Sequence, residues 1–134
     1  MRTMLVALAA LAFSSCASSK NGAAAEAELY GKEWKLTELN GKPVNATAER
    51  IPTIKFEKEG GRVSGYAGCN RMMGTFTVNG ATLKFSPLAA TKMACMGDNV
   101  ETEYLSALAK VNAFGVDAGM LQLQEGEAII AKFK

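Results

Sequence analysis

The residues best suited to chemistry in this 134-residue chain carry sulfur. Met72 and Met73 follow Cys69 closely, and Met93 and Met96 flank Cys95. Soft sulfur ligands suit Cu(I), so a copper- or thiol-handling protein is one function these side chains admit. A plainer role competes with it. Methionine fills irregular gaps in cores and flexible surfaces, and two oxidised cysteines offer no thiolate to a metal. The chain contains no histidine, which removes nitrogen-ligated zinc and the usual base for a serine or cysteine nucleophile. Residues 16–134 also lack a Ser-x-x-Lys pair, a nucleophile elbow and a glycine-rich phosphate loop. The expectation is a protein that is not an enzyme, with no catalytic residue, no metal and no cofactor.

Gly68-Cys69-Asn70-Arg71 is the sharpest local feature. Glycine permits a sharp turn, and asparagine bonds its own backbone or tolerates a left-handed conformation. Arg71 carries a fixed fork of donors able to satisfy several carbonyls of the connection between Pro87 and Gly97. The functional counterpart of that structural role is an anion or peptide site formed by Asn70 and Arg71.

Period-two hydrophobicity from Leu29 onward supplies the elements that must position these residues. Trp34 and Leu36 alternate with polar neighbours before Asn40-Gly41, and Ile54 and Phe56 do so before Gly60-Gly61. Phe76 and Val78 lead into Asn79-Gly80, expected to form a two-residue hairpin loop, with Leu83 and Phe85 on the return. Later strands are expected around Phe114 and Val116, Leu121 and Leu123, and Ile129 to Phe133. Helical spacing interrupts the pattern once, at Val100, Tyr104, Leu108 and Val111 with Leu105 beside them, predicting an amphipathic helix from Asp98 to Lys110. Asp98 would cap it, with Glu101 completing a capping box. The fold class expected is mainly β with one α-helix: a small antiparallel, closed or nearly closed barrel-like fold of seven or eight strands, the helix packed on it or plugging it. Closure would remove exposed strand edges. Trp34, Phe56, Phe76 and Phe85 would either wall an apolar cavity or fill the core.

The first fifteen residues read as a signal peptide: Arg2 is followed by an apolar run from Met4 to Phe13, too short for a bilayer span of about 20 residues. Phe13-Ser14-Ser15-Cys16 resembles the lipobox of bacterial lipoproteins, with Phe13 where leucine is usual. The resemblance implies cleavage before Cys16 and acylation of that cysteine, a membrane anchor outside the cytoplasm. Residues 17–28 are small and polar, as a flexible tether would be, and offer nothing to bury. No acidic residue follows Cys16 directly, which leans toward the outer membrane over the inner. If Cys16 carries lipid, Cys69 and Cys95 remain as a candidate disulfide, the expected state of paired thiols in an exported protein. Two reduced buried thiols or a metal pair are the alternatives. Removing Arg2 with the leader leaves fourteen basic and thirteen acidic residues, evenly mixed, so nucleic acid is not an expected partner.

The segment Gly68-Cys69-Asn70-Arg71-Met72-Met73-Gly74-Thr75-Phe76, then Leu83-Lys84-Phe85-Ser86-Pro87, then Thr91-Lys92-Met93-Ala94-Cys95, resembles the META domain, the family that includes the HslJ heat-shock lipoproteins. Trp34-Lys35-Leu36 and Tyr104-Leu105 extend the likeness over residues 29–134. It implies a compact antiparallel β fold with one helix, an exported or lipid-anchored protein, and an association with stress tolerance and envelope integrity. It implies no reaction and no ligand. The fold it implies is similar to that of pilotin lipoproteins, which hold an apolar segment of a secretion partner. The expected protein is thus a monomeric, stress-related envelope lipoprotein that binds or scaffolds an unidentified envelope protein. A pilotin-like carrier of a lipid or apolar segment is the alternative.

Overall fold

The computed structural model describes residues 22–134. The expected signal peptide, Cys16 and residues 17–21 lie outside the described residues. The described chain begins with helix α1 (Gly22–Leu29), an alanine-rich segment of high helix propensity. Ala25 and Leu29, one helical turn apart, are both buried. This corrects the expectation of a tether running to Glu28 with nothing to bury: alanine is small enough for the helix backbone to lie close against the sheet. The Trp34 indole N–H donates to the Leu29 carbonyl at 3.1 Å, fastening the end of α1 to the first strand.

Ten strands follow: β1 (Glu33–Leu39), β2 (Lys42–Pro43), β3 (Thr53–Glu57), β4 (Arg62–Tyr66), β5 (Arg71–Asn79), β6 (Thr82–Phe85), β7 (Ala89–Ala90), β8 (Ala113–Asp117), β9 (Met120–Glu125) and β10 (Ala128–Phe133). Helix α2 (Glu101–Leu108) separates β7 from β8. The sheet is antiparallel throughout and ordered β6-β5-β4-β3-β1-β10-β9-β8, with β2 added to β1 and β7 to β5. It is curved but not closed. Where a barrel would carry a ladder, β6 and β8 are bridged by two flanking bonds, Leu83 N–H to Asn112 O at 3.4 Å and Phe114 N–H to Ala81 O at 3.0 Å. Those bonds occupy part of the edge that full closure would remove, so of the closed and nearly closed forms the chain takes the second.

The mainly β, antiparallel character agrees with the period-two pattern, and the burial of Trp34, Leu36, Ile54 and Phe56 follows it residue by residue. The strand count exceeds expectation because β4 carries a single large aliphatic residue, Val63, and β2 and β7 are two residues each. Gly65 in β4 lies opposite Ile54, and a Cβ there would collide with the Thr53 carbonyl. Only glycine lets β3 and β4 pair at this point. The β5–β6 loop is Gly80-Ala81, one residue later than expected, since Asn79 still pairs with Thr82 and only Gly80 takes a positive φ. Asn40-Gly41 adopts positive φ at both positions, the I′ form expected of such a pair.

Three of the four aromatic rings proposed as cavity walls pack on one another. Phe56 lies edge-on to Phe76 with centroids 5.0 Å apart and stacks on Phe85 at 6.1 Å. Trp34, Phe56, Leu121, Leu123 and Phe133 are essentially without solvent contact. Tyr104, Ala107 and Leu108 of α2 complete the core, the Tyr104 hydroxyl donating to the Thr53 carbonyl at 3.4 Å. Among the described residues, no helix is long and apolar enough to cross a membrane.

Candidate functional site

The junction between β4 and β5 is where the sequence motifs meet. Tyr66 and Arg71 pair across the strands, and Ala67 to Asn70 form the connecting turn, held by Ala67 N–H to Asn70 O at 2.8 Å. Gly68 lies beside the Arg50 carbonyl and the Glu101 amide with φ +109°, a conformation that suits glycine. The turn folds inward. Ala67, Cys69 and Asn70 are all buried, so every polar group they carry needs a partner inside the protein.

Asn70, 4% exposed, meets that requirement in full. Its Oδ1 accepts from the Met93 amide at 2.7 Å and the Thr91 hydroxyl at 3.0 Å. Its Nδ2 donates to Glu101 Oε2 at 2.9 Å and the Met93 carbonyl at 3.3 Å. The Asn70 backbone N–H donates to Glu101 Oε1 at 2.7 Å, so one carboxylate receives both bonds from one residue. A carboxylate in the first turn of α2 also faces the positive end of the helix. Asn70 thereby joins three segments distant in sequence: the β4–β5 turn, the Thr91–Met93 strap and α2.

Cys69 and Cys95 close the same junction as a disulfide, their Cα atoms 6.0 Å apart, within the range such a bond spans. The Met93 carbonyl lies 3.8 and 3.6 Å from the two sulfurs. Cys69, Cys95 and Glu101 form the cluster of metal-ligand type among the described residues. The bonded sulfurs carry no thiolate, and both Glu101 oxygens are engaged by Asn70. The methionines do not converge on it either. Met72 is buried in the core while its neighbour Met73 is 56% exposed on the other face of β5, and Met93 and Met96 are 65% and 86% exposed. The four thioethers suggested by sequence proximity are therefore spread between core and surface.

Arg71 differs from expectation. Its side chain is exposed, bordering an open depression of about 370 Å³ with Glu33, Lys55, Tyr66 and Met73. Bonding to the connection after Pro87 comes from the Arg71 backbone instead: its N–H donates to the Thr91 hydroxyl at 3.1 Å, and its carbonyl accepts from the Thr91 amide at 3.0 Å. The expected capping box is also replaced. Asn99 Oδ1 accepts from the Glu101 amide at 3.1 Å, and the Glu101 carboxylate turns away to Asn70. Glu101 is the site residue whose role the sequence concealed, because its partner lies 31 positions away. Thr91 and Met93, by contrast, were visible as the alternate positions of Thr-x-Met-x-Cys.

Two phenols are perturbed by their surroundings. Burial is the cause that holds the Tyr104 hydroxyl far above its ordinary value. Tyr30 is pushed up to about 12, first by burial and then by the hydrogen bond and charge of Glu26, whose carboxylate accepts from it at 3.0 Å. Neither lies at the junction.

The class of protein these features define is a small, incompletely closed antiparallel β domain, flanked by two helices and braced by a disulfide beside a saturated asparagine. The META domain family model matches residues 27–133, and the chain belongs to the META domain family. The two motifs carrying the earlier resemblance, Gly-Cys-Asn-Arg and Thr-x-Met-x-Cys, are the two halves of this junction. Among solved structures, an NMR structure of a protein from Burkholderia xenovorans is similar at a TM-score of 0.69 and 24% identity, covering 100% of this chain and 97% of that one. A second NMR structure matches at a TM-score of 0.62 and 24% identity, covering 80% and 92%. These likenesses concern the fold. No curated protein matches the chain in sequence.

Proposed function

We propose that this META-domain protein is a non-enzymatic lipoprotein of the cell envelope, acylated at Cys16, whose domain acts as a stress-related binding or scaffolding module close to a membrane. The observation that carries the anchoring is the sequence Phe13-Ser14-Ser15-Cys16 at the end of a short apolar run, six positions before Gly22, where α1 starts. The stress association rests on the family, and the outer membrane on the absence of an acidic residue after Cys16. The saturated bonding of Asn70 supports a bracing role over catalysis: its side chain has no donor or acceptor left for a substrate. The contacts among Phe56, Phe76 and Phe85 favour a packed core over a pilotin-like cavity for a lipid or apolar segment.

Intact mass measurement of protein extracted from membranes with detergent tests the anchoring. The expected product starts at Cys16, carries acyl groups, and loses both cleavage and lipid in Cys16→Ala. A soluble product that starts elsewhere, or a Cys16 without added mass, overturns it.

A further inference from the structure

We infer that acylation at Cys16 orients this domain so that the β5–β6 turn lies nearer the bilayer than the disulfide junction does. The inference rests on the anchoring proposed above and adds an orientation to it. Its structural basis is the position of Gly22, the first residue of α1. Gly22 lies directly on Gly80: a Cβ on Gly22 would meet the Gly80 carbonyl carbon at 2.7 Å and its Cα at 2.9 Å. The first residue of α1 is therefore seated on the turn that ends β5.

Two lengths then decide the geometry. From Cys16 to Gly22 the chain advances six residues, which span at most about 22 Å even when fully extended. β5 runs nine residues from Arg71 to Asn79, eight steps or about 27 Å at the rise of an antiparallel strand. Arg71 bonds the strap at Thr91, and Asn70 beside it bonds Met93, so the junction lies at the far end of β5. The lipid link is shorter than the strand that separates the two ends. Had residues 22–28 been a flexible tether, the reach would have doubled and the domain would have been free to tumble.

The chemistry of the two ends fits this orientation. Asn79, Gly80, Ala81 and Thr82 are exposed and uncharged, so contact of lipid headgroups with the β5–β6 turn itself strips no ion of its water. The exposed methionines Met73, Met93 and Met96 lie toward the other end and would be presented to whatever approaches from the aqueous side.

The test uses the acylated full-length protein in vesicles of phosphatidylethanolamine and phosphatidylglycerol, with a fluorescent amino acid at Thr82 or at Met96 and an acceptor dye on a small fraction of headgroups. Energy transfer is expected to be at least about twofold greater from position 82 than from position 96, given the strand length between the ends. Inserting about twelve glycine and serine residues after Ser19 should erase most of that difference by lengthening the link. Equal transfer from both positions in vesicle-bound protein, greater transfer from position 96, or a difference unaffected by the insertion overturns the orientation while leaving the anchor intact. Failure of wild-type protein to float with vesicles, with Cys16→Ala behaving the same way, overturns the anchor itself.

Discussion

The two ends of β5 are stabilised by different physics. Near Asn79, α1 covers the sheet with Ala25 and Leu29, and the contacts it makes are mostly apolar and undirected. Near Arg71, the turn is held by directed bonds from one buried amide to a strap and a helix, with a disulfide alongside. Apolar burial scales with area and tolerates small shifts in position. A saturated amide does not, because a displaced donor leaves a buried group without a partner. The difference explains why the strongest sequence motifs cluster at the junction, whereas α1 is little more than an alanine-rich stretch. A hydrogen-bonded junction needs particular side chains, and an apolar lid needs only small or greasy ones.

If that contrast is right, the largest single loss of stability lies on the apolar side. Trp34→Ala removes a fully buried ring and the bond that fastens α1, and should cost about 3–5 kcal/mol in denaturant unfolding. A cost smaller than that of the junction variants below would reverse the ranking of the two ends. Cys95→Ser comes next. Opening a link between residues 26 apart should cost about 3.5 kcal/mol if the denatured chain regains its loop entropy. A loss below about 1 kcal/mol would mean that the hydrogen bonds of Asn70 hold the strap without the disulfide, or that denatured-state structure offsets the entropy.

Asn70→Ala tests those bonds directly. It leaves the Met93 amide and one Glu101 oxygen without their partner in a partly buried setting, and the expected cost is about 1–3 kcal/mol. Combining it with Cys95→Ser sharpens the comparison. Both changes release the same strap, so their effects should fall short of additive by about 0.5 kcal/mol or more, whereas Asn70→Ala and Trp34→Ala should add. Coupling between Asn70 and Trp34 as strong as that between Asn70 and Cys95 would show that the two ends are one cooperative structure.

Much of this architecture was legible in the sequence, for a reason that also marks where legibility stops. Period-two alternation identifies strands such as β1 and β3 because each buries one face, and it misses β4 because Ser64 and Gly65 offer nothing to count. Helical spacing located α2 through Tyr104 and Leu108, yet its start was placed three residues early. Asp98 and Glu101 satisfy a local capping pattern, and the structure uses Glu101 for a partner that no local pattern can reveal. The site was half legible. The motifs named Cys69, Asn70, Thr91, Met93 and Cys95, but Arg71 was assigned a role that its backbone performs and its exposed side chain does not. Whether the sheet closes fully or only nearly was left open by the sequence, because alternation reports which face is buried and says nothing about how far a sheet curls.

The smallest effects near neutral pH belong to the phenols, and they separate α1 from the core in another way. Both Tyr30 and Tyr104 titrate higher in the folded protein than the ordinary 10.0, Tyr30 at about 12 and Tyr104 beyond it. Above pH 10 the unfolded chain loses protons that the folded chain retains. The stability associated with both groups is thus fully present below pH 10 and falls as pH rises from there. Tyr30 is partly exposed at the end of α1, so solvent screens much of its share, while Tyr104 is enclosed in the core. Tyr104→Phe should therefore flatten the decline of stability between pH 10 and 12 markedly, and Tyr30→Phe only slightly. Denaturant midpoints across that range, with tyrosinate absorbance followed in parallel, measure both. If Tyr30→Phe flattens the curve more than Tyr104→Phe, alkaline unfolding begins with α1 lifting from the sheet, and the lid rather than the core is the first part of this fold to give way to base.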